Sequence, residues 1–98
     1  MNMDSEFVIP PQVRARMVGE EMVLLHLESG TYFGLDPIGA RMWQLIQTGK
    51  SLRQACDVVI EEYDVSRKVL EQDVLALARD LVDKKLVNVA QTGRVPNG

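Results

Sequence analysis

The sequence predicts an α+β fold, with an antiparallel sheet built first and helices packed on it afterwards. Three observations predict it. Residues 12–35 carry extended, apolar-rich runs separated by glycine-containing pairs. Residues 36–85 carry three segments whose apolar residues recur at helical spacing, each opened by a capping residue. All the strand patterns precede all the helical ones, which is the order of an α+β chain and not of alternating βα units.

The elements follow in order. Residues 1–11 form an irregular N-terminal segment closed by Pro10-Pro11. "VRARMV" alternates, with Val13, Ala15 and Met17 on one face and Arg14 and Arg16 on the other, so it is a half-buried strand. Gly19-Glu20 puts glycine first, which suits a II′ hairpin turn. "MVLLHL" is almost continuously apolar. It fits a central strand covered on both faces, and its pattern alone also fits a buried helix. Ser29-Gly30 supplies the next turn, and "TYFGL" is the third strand of a meander. Asp36 caps the first helix and Pro37 occupies its first position, where a missing N–H costs nothing. Ile38, Met42, Leu45 and Ile46 form its apolar face beside Trp43. Ser51 and Gln54 have the spacing of a capping box, opening a second helix with Leu52, Ala55, Cys56, Val59 and Ile60 inward. Ser66 caps the third and longest helix, whose stripe of Leu70, Val74, Leu77, Ala78 and Leu81 is expected to face the sheet. "LVNV" is a short strand or an extended tail, and residues 90–98 are a disordered tail. Three short-linked helices on a three-stranded antiparallel sheet make a winged helix-turn-helix-like domain over residues 12–89.

Composition narrows the function. The chain has 98 residues, enough for one domain with a small core. No apolar run is long enough to span a bilayer, and the N-terminus lacks the basic-then-apolar order of a signal peptide. A cytoplasmic protein is expected. Cys56 is the only cysteine and His26 the only histidine, so a disulfide within the chain and a Cys/His zinc site are both excluded. Cys56 reads as a small buried hydrophobe and His26 as a structural strand residue. "TGKS" at 48–51 resembles the end of a phosphate-binding loop, but Gln44 stands where the motif requires glycine and a helix precedes it instead of a strand. Asp57, Glu61 and Glu62, and Asp80 and Asp83, sit among Arg and Lys on polar helix faces. No catalytic set, metal site or cofactor site emerges, and the chain is expected not to be an enzyme.

The fold class invites a DNA-binding alternative, a winged-helix regulator. DNA affinity rests mostly on neutralised phosphates. The third helix carries Arg67, Lys68, Arg79, Lys84 and Lys85 against Glu71, Asp73, Asp80 and Asp83, and the whole chain has a formal charge of −3. A near-neutral recognition helix in an acidic chain is a poor match, so no nucleic acid partner is expected.

Taken in order, "VLLHLESGTYFGLDPIGARMWQLIQTGKSL", "YDVS" and "EQDVLALARDLVDKKLV" resemble the PqqD-like family of peptide-recognition domains in ribosomal peptide natural-product pathways. The likeness spans about residues 12–89 and rests on the hydrophobic strand, the Ser-Gly turn, the aromatic strand ending in Leu-Asp, Gly39, Trp43 and Asp73-Val74. It is greater to the stand-alone members of lasso-peptide pathways than to the founding pyrroloquinoline-quinone protein, which lacks the "GTYFGLD" form of the strand. The resemblance implies a non-catalytic adapter that binds the leader segment of a precursor peptide and presents it to a processing enzyme such as a leader peptidase. The leader would add as a strand beside Thr31, Tyr32, Phe33, Gly34 and Leu35, and lie against the third helix.

The residues fit that implication. Strand addition needs an unpaired edge, and the third strand of a meander is one. "TYFGL" carries no lysine or proline to protect it. Gly34 either admits a second backbone closely or bends the chain before the helix. Tyr32 and Phe33 point to opposite faces, and the sequence does not say which faces a ligand. Helical spacing puts Val69, Asp73, Ala76, Asp80 and Lys84 on the flank of the third helix, with Leu77 beside them, as the opposite wall. Trp43 reads as core or as an enzyme-facing residue. The same open edge permits either a monomer or an edge-paired dimer, and no membrane partner is expected.

Overall fold

The structure, a computed structural model, describes residues 1–90. Its elements run β1 (Phe7–Val8), β2 (Val13–Val18), β3 (Glu21–His26), β4 (Tyr32–Leu35), α1 (Pro37–Gln47), α2 (Leu52–Glu62), α3 (Arg67–Asp83) and β5 (Asn88–Val89). β2, β3 and β4 form a three-stranded antiparallel sheet in that order, and β1 pairs with β5 in a separate two-stranded sheet. The α+β class, the meander and the three helices are as the sequence predicts, and "MVLLHL" is a strand.

Local chemistry sets the joints. Val18 pairs with Glu21 across a two-residue turn in which Gly19 has φ +65°, while Glu20 keeps a negative φ, as a II′ turn requires. Asp36 Oδ1 accepts the Gly39 N–H at 2.7 Å and starts α1. At α2 both halves of the capping box form, with Gln54 N–H to Ser51 Oγ at 3.1 Å and Ser51 N–H to Gln54 Oε1 at 3.0 Å. α3 ends in a Schellman pair. Leu86 N–H donates to Leu81 O at 2.9 Å and Lys85 N–H to Val82 O at 3.0 Å, with Lys85 left-handed at φ +61°.

The core lies between one face of the sheet and the helices. Met22, Leu24 and Leu35 from the sheet meet Trp43, Leu45 and Ile46 of α1 and Cys56 and Val59 of α2. Trp43 is buried in the core; among the described residues its Nε1 has no partner, so ring burial alone holds it. Burial pushes the Cys56 thiol up to about 11, which keeps it neutral and inert. His26 is buried, and its Nδ1 accepts the Ser29 N–H at 3.3 Å, a structural role.

Several expectations need correction. Residues 1–11 are not wholly irregular: they include β1, and Met3 and Phe7 are buried. Their carbonyls also meet free N–H groups of the first turn of α2, Leu52 N–H to Ser5 O at 3.2 Å and Arg53 N–H to Met3 O at 2.7 Å. In β2 only Val13 is buried: Ala15 and Met17 lie opposite the buried Leu24 and Met22 on the same face, but the helices cover β3 and β4 and leave this outer strand exposed. β3 is covered fully on one face only, with Val23 and Leu25 half-buried on the other. The inward stripe of α3 packs on α2 and α1 instead of on the sheet. Leu86 and Val87, expected in a strand or tail, are fully buried ahead of β5. Ala90, expected in a disordered tail over 90–98, is tied down instead, its N–H donating to Glu6 O at 2.8 Å; 91–98 lie outside the described residues.

Candidate functional site

Because α3 packs on helices, it stands off from β4 and leaves a groove between them. The groove holds about 430 Å³ of free volume and is floored by the start of α1. One wall is Phe33, Gly34 and Leu35 of β4; the other is Val69, Asp73, Ala76, Leu77 and Asp80 of α3. The edge of β4 beside it has no strand partner among the described residues.

The register settles what each residue of β4 offers. Leu24 pairs with Phe33 and Met22 with Leu35, so Phe33 and Leu35 share the core-facing side of the sheet. Leu25 pairs with Tyr32 and Val23 with Gly34, so those two lie on the opposite face, where Tyr32 is 70% exposed. The Phe33 ring, half-buried, is therefore the aromatic group that faces the groove. Backbone direction alternates as well. The His26 N–H donates to Thr31 O at 2.9 Å, which makes that a bonded pair. Bonded and non-bonded pairs alternate along an antiparallel ladder. Phe33 and Leu35 thus turn their backbone groups to β3, and Tyr32 and Gly34 turn theirs to the open edge.

Of the residues the sequence singles out, Phe33, Gly34, Leu35, Val69, Asp73, Ala76, Leu77 and Asp80 line the groove. Lys84 caps α3 at one end, its Nζ 5.7 Å from the centroid of the Phe33 ring. Tyr32 contributes backbone and not its ring. Thr31 belongs to the turn: its Oγ1 lies 2.9 Å from Ser29 Oγ. The groove's floor and far end are formed by Asp36, Ile38, Gly39, Met42 and Val65, none of them expected as a site residue. A signal was present. Asp36-Pro37 follows the edge strand directly, so the first turn of α1 has to lie against its end. Gly39 belongs there, because a Cβ on it would stand 3.3 Å from Leu35 Cδ2 and 3.2 Å from Asp36 Oδ1.

The groove is apolar at its base and along β4, and acidic along α3 and at the Asp36 end. Asp36 is occupied in capping α1. Asp73 and Asp80 are exposed and have no ion-pair partner among the described residues, whereas Glu71 and Asp57 are both held by Arg67 at 2.7 Å. Arg41 grips Glu62 through two 2.8 Å bonds that hold its carboxyl below the ordinary range, and this pair ties α1 to α2 away from the groove. Among the described residues no cluster of three or more acidic, cysteine or histidine side chains could hold a metal ion, and no helix is long and apolar enough to cross a membrane.

Residues 21–87 match the family described as coenzyme PQQ synthesis protein D (PqqD). Two solved structures share the fold. One, TbiB1 in complex with the TbiA(beta) leader peptide, is 38% identical, with a TM-score of 0.73 over 89% of this chain and 96% of that one. The other, lasso peptide synthetase B1 complexed with the leader peptide, is 29% identical, with a TM-score of 0.76 over 85% of this chain and 98% of that one. No curated protein matches the chain.

Proposed function

The chain belongs to the PqqD family, and we propose that within it this protein is a non-catalytic adapter for a ribosomally made precursor peptide. The leader segment adds as a strand along β4 and lies in the groove against α3. The adapter then presents the bound precursor to a processing enzyme, a leader peptidase of the lasso-peptide type, in the cytoplasm.

One observation carries this reading: the outward backbone groups of Tyr32 and Gly34 run along an apolar groove that α3 walls on the other side. An extended peptide gains backbone bonds from the edge and side-chain burial from the groove at the same time. The two similar structures, each of a protein bound to a leader peptide, support the same occupant. An adapter needs no catalytic group, and none is asked of this groove.

The test is a fluorescence-anisotropy titration with the labelled leader of a candidate lasso-type precursor, run in parallel with mixed-sequence duplex DNA. Saturable leader binding without DNA binding is expected. DNA binding that weakens steeply with salt, with no leader binding, would replace the adapter by a winged-helix regulator. Adding the candidate peptidase to the saturated complex then tests presentation, with a further rise in anisotropy expected.

A further inference from the structure

The α3 wall has a charge pattern the apolar base does not explain. Asp73, Ala76 and Asp80 follow one another along the groove at helical spacing, so the two carboxylates stand roughly 10 Å apart with a methyl group between them. Neither is ion-paired among the described residues. Lys84, one turn beyond Asp80, is engaged over the Phe33 ring instead.

We propose that the peptide taken by this groove carries a lysine or arginine whose side chain lies across Ala76, between the carboxylates of Asp73 and Asp80. This rests on the leader-binding reading and names the chemistry of the segment bound. A strand docked on β4 would draw both carboxylates out of water, and a purely apolar segment would leave them uncompensated. A long cationic side chain answers this in two ways. Its aliphatic stem covers the small Ala76 surface, and its charged head reaches a carboxylate while staying near solvent. An acidic residue at the same place would be repelled, so the pair also rejects wrong segments and fixes register. The cation at the Lys84 end prevents the opposite placement, with the basic residue beside Phe33.

Selection from a displayed library of random peptides tests it, run on the wild-type chain, on Asp73→Asn/Asp80→Asn and on Tyr32→Pro. Both asparagines replace exposed side chains, so the double variant should fold. Wild-type selection is expected to enrich peptides with Lys or Arg at one fixed position among apolar neighbours, and selection on the double variant to lose that preference. Changing the enriched cation to glutamine should weaken binding roughly fivefold on the wild type and hardly at all on the double variant. Enriched peptides without a fixed cation, or a glutamine effect that is equal on both proteins, would overturn the inference and leave the leader reading standing. Enriched peptides that bind Tyr32→Pro as well as wild type would overturn both.

Discussion

The ammonium of Lys84 stands 5.7 Å from the centroid of the Phe33 ring, so the last turn of α3 reaches across to the edge strand and closes one end of the groove. The contact joins the two walls of the groove, while the main packing of α3 is on α2 and α1. Phe33 is thus a groove residue with only one side committed to the core. Phe33→Ala should weaken leader binding by about tenfold or more, since a half-buried aromatic in a pocket is the usual anchor of such a contact. It should cost about 1–2 kcal/mol of stability, less than a fully buried ring. Lys84→Gln should cost under about 1 kcal/mol, as expected for an exposed cation–π pair. A thermal melt beside each titration separates the two effects.

Proline separates the two backbone directions of β4. Tyr32→Pro removes an outward N–H, which an edge strand tolerates, so the variant should stay folded and lose leader binding. Phe33→Pro removes an N–H that serves the ladder to β3 and should unfold or loosen the sheet. Circular dichroism and anisotropy on the pair check this; normal leader binding by a folded Tyr32→Pro would mean the edge is not used.

Lys85 holds a left-handed conformation that glycine adopts without strain. Lys85→Gly should therefore raise stability by about 1 kcal/mol in urea melts, because the Schellman bonds around it stay in place. Binding should not change, as Lys85 does not line the groove.

Much of this was legible in the sequence, for physical reasons. Asp36-Pro37, the Ser51–Gln54 box and Ser66 are local signals, and each begins its helix as expected. The open edge follows from strand order alone. What was not legible was long-range. Phe7 pairs with Val89 across nearly the whole chain, and two-residue strands have no periodicity to detect. The stand-off of α3 also escaped prediction, because an apolar stripe says that a helix is buried and not against what. It is this stand-off that creates the groove, and so leaves Leu77 half-buried on a wall above Val74, which is buried at the base.

The N-terminal segment is a structural part of the domain, since Phe7 is buried and the carbonyls of Met3 and Ser5 serve α2. Phe7→Ala should destabilise the chain by about 3 kcal/mol, read from denaturant melts. Leader affinity, measured where the variant is still folded, should stay near that of the wild type.

Cys56 titrates in a direction that stability can report. The unfolded chain releases the thiol proton near pH 9, while burial holds it in the folded chain to about 11. The folded state binds more protons across that window, so stability should fall as pH rises from about 9 to 11. Cys56→Ala should flatten this part of the curve. At neutral pH the wild-type thiol should react with Ellman's reagent only as fast as the protein opens.

Under the proposed function, a peptide strand completes the sheet at β4. Hydrogen exchange followed by NMR, residue by residue, reads this out, with and without a saturating leader peptide that binds in the titration. The Tyr32 and Gly34 amides should exchange fast in the free protein and slow markedly in the complex, while Phe33 stays protected in both. If the leader binds and the Tyr32 and Gly34 amides keep their free exchange rates, strand addition at this edge is wrong.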